Sequence, residues 1–316
     1  MTFFKAIKSI FTNLDKSIAL IILSIKCTLT DFRMLMICII RVLLLPTVIG
    51  TTILLVMYIK DHLTPSAYVP FFAIFIALLI TSALGLLMNV VTIAYTRNKY
   101  NHQSTSLCAA FYLGIKRIPT IMLWTIVHGL ILFIISIAKN KNSHSKSIVA
   151  EFFTFAWRVA TFFVPGVITK KNIFPYPLFK ESVKIMKERF GEVATMTFSF
   201  ATLANFSFPG IPLILSILMT YFYMAIHHYE TYIKGALAQS SEKAFNQSLL
   251  ILIKEHYIFF ICLCFITYIL RIIIFTSENV AKAALFNYAE HENTGPFKEQ
   301  LIRHIFITKK NQSHNQ

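Results

Sequence analysis

Charge is what this sequence has least of. Only 14% of its 316 residues are charged, against roughly 25% in soluble domains. Too few charges remain to cover the surface of a water-borne fold of this length, which excludes a purely soluble protein. A hydrocarbon surround removes that demand. Cysteine is sparse too: Cys27, Cys38, Cys108, Cys262 and Cys264 are scattered and odd in number. That argues against a disulfide framework, and no pair has the spacing of a zinc site. Cys262 and Cys264 stand two apart in an apolar run and read as small packing residues. There is no phosphate loop, no nucleophile elbow, no paired carboxylates and no substantial soluble segment. The expectation is therefore a protein without enzyme chemistry, cofactor or bound metal. No cleavable leader is expected either, since the first apolar run, 18–25, is short and Lys26 follows it.

Apolar residues fill the space left by charge. They make up 56% of the chain, and mean hydropathy is +0.65. Six stretches are long and apolar enough to cross a bilayer, at about 42–59, 70–95, 118–138, 152–169, 193–223 and 257–275. The fold class expected is all-α, a polytopic transmembrane helix bundle. Residues 1–33 form an amphipathic N-terminal segment, 34–290 the membrane domain and 291–316 a polar tail. In the first segment Phe3, Phe4, Ile7, Ile10, Phe11, Leu14, Ile18, Ile21, Ile22 and Ile25 recur at spacings of three and four, one face of a helix. That face suits either the membrane surface or the protein's own bundle. A second amphipathic helix is expected at 178–190, with Val183, Met186 and Phe190 opposite Lys180, Lys184 and Lys187. The stretch 193–223 is interrupted by Pro209, Gly210 and Pro212 and reads as one broken helix or as a hairpin.

The formal net charge is +16. The lysines and arginines sit in segments that flank the apolar runs and do not interleave with aromatics, so anionic lipid headgroups are the expected partners and nucleic acid is not. Counted between successive runs, they number six, one, four, three, six, three and five. High and low counts alternate, which predicts both termini on the cytoplasmic side. A hairpin at 193–223 would give seven crossings and put the last five basic residues outside, so six crossings are preferred. The expected location is a bacterial cytoplasmic membrane. A host membrane is the alternative for a secreted protein. A protein partner or a second copy of the chain would also fit.

Several segments carry a resemblance. These are Asp31-Phe32-Arg33-Met34-Leu35 before the first run and Arg117-Ile118-Pro119-Thr120-Ile121-Met122-Leu123-Trp124 entering the third. In and after the fourth come Trp157-Arg158-Val159-Ala160-Thr161-Phe162-Phe163-Val164-Pro165 and Lys180-Glu181-Ser182-Val183-Lys184. Their order resembles a family of bacterial and archaeal multi-pass membrane proteins of unknown function, distantly similar to the membrane domain of glycerophosphoryl diester phosphodiesterase. The resemblance implies architecture and brings no activity or functional residues with it.

Ionisable groups inside a membrane are costly, about 2.5–3.5 kcal/mol for a central Arg or Lys, and mark candidate sites. Here they are His128, Glu151, Arg158 and Arg271. Glu151 and Arg158 are seven apart and share a helix face. Arg158 would meet a carboxylate or a helix C-terminus across the bundle, or snorkel to the interface. His128 would relay a proton or ligate a metal, although no Glu-x-x-His or His-x-x-x-His accompanies it, or make a hydrogen bond to a neighbouring helix. The break at Pro209, Gly210 and Pro212 would free backbone groups to bind an ion, or be a packing kink. The functional expectation is a membrane scaffold, assembly or lipid-organising component. A small transporter or channel using that break comes second, and an intramembrane lipid-modifying enzyme third.

Overall fold

The computed structural model describes residues 14–62, 68–103, 106–139, 144–188, 190–205, 257–290 and 294–297. Every regular element among them is a helix. In chain order they are α1 (Leu14–Thr30), α2 (Phe32–His62), α3 (Tyr68–Tyr100), α4 (Leu107–Lys116) and α5 (Ile118–Lys139). Then come α6 (His144–Ala160), α7 (Val164–Lys170), α8 (Pro175–Glu188), α9 (Phe190–Asn205) and α10 (Tyr257–Ala289). The chain divides into two compact units, one of residues 1–200 with 275–316 and one of residues 201–274.

Four helical segments among the described residues are long and apolar enough to cross a membrane: Phe75–Tyr100, Ile118–Ile137, Glu151–Lys170 and Cys264–Ala289. The first expected run, 42–59, lies within α2, where Pro46 is accommodated inside the helix. Of the expected run 193–223, α9 covers the part to Asn205. The rest, with Pro209, Gly210 and Pro212, lies outside the described residues. The last expected run, 257–275, lies within α10, which continues past Arg271 through Ala281, Ala283 and Ala284, all buried.

The fourth run is helical but not one helix. Residues 161–163 form a turn between α6 and α7. Pro165, in the first turn of α7, has no N–H to give to Thr161, so the α-helical ladder cannot pass through it. Tighter bonds close the turn instead, Phe162 N–H to Val159 O at 3.2 Å and Val164 N–H to Thr161 O at 3.1 Å. A proline in a first helical turn costs nothing, since that N–H would have no partner within the helix. A break that would be penalised mid-helix thus becomes the start of a new one.

In the first unit, small polar side chains share the interior with an apolar core that includes Ile37, Phe163, Phe200 and Phe286, and other bulky apolar side chains face outward. Ser24, Thr28, Thr92, Thr276, Ser277 and Asn287 are fully buried, while Phe32, Phe133 and Ile134 are 71%, 63% and 64% exposed. Several buried hydroxyls bond within their own helices, as Ser24 Oγ does to Leu20 O at 2.7 Å and Thr92 Oγ1 to Met88 O at 2.6 Å, while Ser277 Oγ donates across to Thr28 Oγ1 of α1 at 3.0 Å. Small polar side chains at helix contacts, together with bulky apolar ones facing out, fit the packing of helices in lipid. Gly114 shows how close the helices come: a Cβ there would stand 2.8 Å from a Val91 methyl, so α4 packs on α3 through a missing side chain. On α1 the buried face is Leu20, Ile21, Ser24 and Thr28, while Ile18, Ile22 and Leu29 stay exposed. On α8, Leu178 and Ser182 are buried, and Lys180, Lys184 and Lys187 are exposed.

In the second unit, the Thr267 hydroxyl donates to Cys264 O at 2.9 Å, and Phe265 and Ile266 are exposed. Cys262 and Cys264 are exposed as well, which corrects their expected role in packing. A helical position two residues on turns away from any single neighbour, and both thiols lie on open faces.

Candidate functional site

The ladder of polar contacts between α3 and α10 is the feature of the first unit that an apolar bundle would not need. Asn89 is its first rung. Its side-chain oxygen accepts from Asn279 Nδ2 at 2.8 Å and from Arg41 Nη2 of α2, also at 2.8 Å. The same Arg41 nitrogen reaches Thr92 Oγ1 at 3.4 Å. Eight residues further along both helices comes the second rung. Arg97 Nε donates to Asn287 Oδ1 at 2.8 Å, and Nη1 donates to Thr169 Oγ1 of α7 at 2.7 Å. The Arg97 guanidinium also lies over the Phe286 ring, 4.9 Å from its centroid. Because both rungs join residues 190 apart, α3 and α10 run parallel and in register here.

Around the second rung further charges are paired. Lys170 Nζ lies 2.6 Å from Glu290 Oε2 and 5.4 Å from the Phe286 centroid. Arg117 Nη2 donates to Lys170 O at 3.1 Å. Gly166 makes room for this cluster: a Cβ on it would meet the Phe286 ring at 2.9 Å. Lys282 pairs with Glu278 at 2.8 Å and lies 4.9 Å from the Phe162 centroid. Hydrogen bonds to charged groups in a low-dielectric interior are roughly twice as strong as neutral ones. These contacts therefore fasten the helices rather than leave charges poised to move.

Asp31 is a second centre. It sits between α1 and α2 and caps α2, with Oδ1 accepting from Arg33 N–H at 2.9 Å. Its other oxygen accepts from Lys99 Nζ at 2.6 Å and from Tyr95 O–H at 2.9 Å. Burial pushes this carboxyl upward, but the bonds from Lys99, Tyr95 and the Arg33 amide, together with the Lys99 charge, outweigh it and hold the group below its ordinary value.

His128 belongs to an aromatic cluster. Trp157 Nε1 donates to His128 Nδ1 at 2.9 Å. Trp124 stacks on Trp157 with centroids 6.1 Å apart, and Phe179 stacks on Trp157 at 5.3 Å. With Nδ1 accepting, the proton of a neutral ring is assigned to Nε2. Of the other sequence candidates, Arg158, next to Trp157 on α6, lies near enough for its charge to act on His128. Glu151 and Arg158 are exposed on α6, and Arg271, partly exposed on α10, belongs to the second unit. Among the described residues no group of three or more His, Cys, Asp or Glu side chains is arranged to hold a metal.

Sequence reasoning passed over Asn89, Arg97, Asn279 and Asn287. Arg97 falls at the end of an apolar run and was counted with the loop. Single asparagines carry no pattern. Asp31 did leave a signal, an aspartate directly before a helical apolar run.

The profile of a family of unknown function (DUF6159) matches residues 68–238, more than half of the chain. No curated protein and no solved structure matches. Nothing links the chain to glycerophosphoryl diester phosphodiesterase, so that part of the resemblance is withdrawn. The matched range holds α3 to α9, whereas Asp31, Arg41, Asn279, Asn287 and Glu290 lie outside it.

Proposed function

The chain belongs to that family of unknown function, so its role must be read from its own residues, and we propose a non-enzymatic membrane scaffold that organises the lipid around it. The observation that carries this reading is the pair of rungs Asn89–Asn279 and Arg97–Asn287. Polar groups at depth are bonded to one another across helices, which builds a rigid body. Large apolar side chains such as Phe133 and Ile134 on α5 are turned outward, where acyl chains would lie. Four apolar helical segments are compatible with a membrane location.

Two observations support placing both ends of the membrane domain on one side, which the charge count makes the cytoplasmic side of a bacterial inner membrane. The parallel course of α3 and α10 fits two crossings in the same direction. Contacts also join basic segments that the charge count puts on one side: Lys99 to Asp31, Lys170 to Glu290 and Arg117 to Lys170. Anionic lipids are the partners that such a basic face would collect.

Reconstitution tests the reading. Purified full-length chain in liposomes should change acyl-chain order, read from a membrane-embedded fluorescent probe, without raising solute or ion flux above empty vesicles. A saturable flux would overturn the scaffold in favour of a transporter. A C-terminal fluorescent reporter should be active and a C-terminal alkaline phosphatase fusion inactive. The opposite pair of results would overturn the orientation alone.

A further inference from the structure

A cleft of about 540 Å3 opens beside the Asp31–Lys99 pair. That is within the usual range for small-molecule sites, roughly 300–1,000 Å3. Five parts of the chain build it: α1, the start of α2, the C-terminal end of α3, α10 at Val280, and the turn at 294–297. Its wall is apolar, with Leu23, Met34 and Val280, and its charged lining is mainly basic, with Lys26 and Lys99. Asp31 neutralises Lys99 through their ion pair at 2.6 Å, which leaves Lys26 as the net positive charge of the lining. Lys26 is exposed, and none of the ion pairs among the described residues involves it.

Two backbone features show that the cleft is built rather than incidental. The turn that closes it places Gly295 at φ +65°, where a Cβ would stand 2.3 Å from the Tyr100 ring. Only glycine lets the turn come this close. Thr294 Oγ1 donates to Phe297 O at 2.8 Å across that turn, and the Phe297 ring meets Tyr100 edge-on at 6.0 Å. On the opposite side α3 ends in a Schellman motif, with Gln103 N–H bonded to Asn98 O at 2.9 Å and His102 N–H to Lys99 O at 3.4 Å. The left-handed position of that motif normally takes glycine, yet here it is His102, at φ 53°. A non-glycine residue held in this region costs roughly 1–2 kcal/mol, and what the histidine gains is an imidazole on the cleft lining.

The cleft lies where the apolar segment Phe75–Tyr100 ends, the depth of lipid headgroups. An apolar wall with a basic rim at that depth has the chemistry of an amphiphile that carries an anion. We propose that this cleft binds a single anionic phospholipid, Lys26 and His102 contacting the phosphate and Leu23, Met34 and Val280 receiving the start of the acyl chains. The inference rests on the membrane reading above and gives the scaffold a specific lipid site.

The test uses full-length protein purified in a non-ionic detergent. Short-chain phosphatidylglycerol, short-chain phosphatidylcholine and inorganic phosphate are titrated separately, with Tm and native mass spectrometry as readouts. Phosphatidylglycerol should raise Tm saturably and give a one-to-one adduct, and phosphatidylcholine should do neither. Lys26→Gln should weaken the apparent affinity about fivefold, the order expected for one surface lysine facing an anionic lipid. His102→Gly should keep or raise the lipid-free Tm, because glycine suits that φ, and should still lose affinity. Equal stabilisation by phosphatidylcholine, or undiminished affinity in both variants, would overturn the site. An equal shift with inorganic phosphate would overturn the lipid as its occupant. Protein that stays monomeric in water without detergent would instead defeat the membrane reading beneath it.

Discussion

Arg97 and Asn287 are 190 residues apart in sequence and 2.8 Å apart in space. Asn89 and Asn279 repeat the offset. A shared offset is a register: each step along α3 is matched by one along α10. Sliding either helix by a turn would break both rungs at once. Van der Waals packing alone tolerates such a slide poorly but does not forbid it, whereas unpaired buried polar groups do. The ladder therefore specifies the alignment as well as adding stability.

Replacing Asn287 by Leu should cost about 2–3 kcal/mol, because it strips the Arg97 Nε of its partner in a buried setting. Adding Arg97→Leu should cost less than the sum of the two single changes. Reversible unfolding in mixed micelles measures this. A double-mutant cycle that closes to within about 0.5 kcal/mol would mean the two residues are not coupled.

Asp31 makes stability depend on acidity. Its folded-state pKa lies below the unfolded value, which is about 3.9. Its contribution is therefore fully present above that value and drains away as pH falls through the lower, folded one. Tm measured in detergent from pH 6 downward should fall most steeply below pH about 4. Asp31→Asn keeps an N-cap residue but loses the charge facing Lys99, so it should lower Tm at pH 6 and flatten the acid limb.

The glycines should divide into two classes. Gly166→Ala pushes a methyl into the Phe286 ring, and Gly295→Ala adds a positive φ to a collision with Tyr100. Overpacking of this kind typically costs about 1–3 kcal/mol, and Gly295 should be the worse of the two. Gly85→Ala meets nothing within 4 Å and should gain up to about 1 kcal/mol from helix propensity. Thermal melts of the three variants decide it, and equal effects would contradict the packing described.

The helical class, the apolar runs and the lysine face of α8 could be read from composition and period, because each is a local property. The break ahead of Pro165 was half legible. The proline was visible in the fourth run, but the run was read as continuous because apolar content does not register a missing N–H. The ladder was not legible at all. Asn89 and Asn279 are single polar letters in apolar words, and pairing them needs a distance in space. Charge position along the chain is a poor guide to burial as well. Arg158 drew attention as a mid-run cation and is exposed, whereas Arg97, at the end of a run, is buried. His128 was found by its type, but its partner Trp157 lies 29 residues on, beyond any helical repeat.

The long offset between rungs has a consequence for biosynthesis. Arg97 leaves the ribosome 190 residues before Asn287 does. At a synthesis rate of roughly 5–20 residues per second, the arginine waits about 10–40 s for its permanent partner. Until then Thr169, which emerges earlier, is the neighbour available to it. Insertion of the last helix is thus the event that retires a charge left half-tended since the first third of translation, and a chain cut short before Asn287 would present that arginine to the quality-control proteases of its membrane.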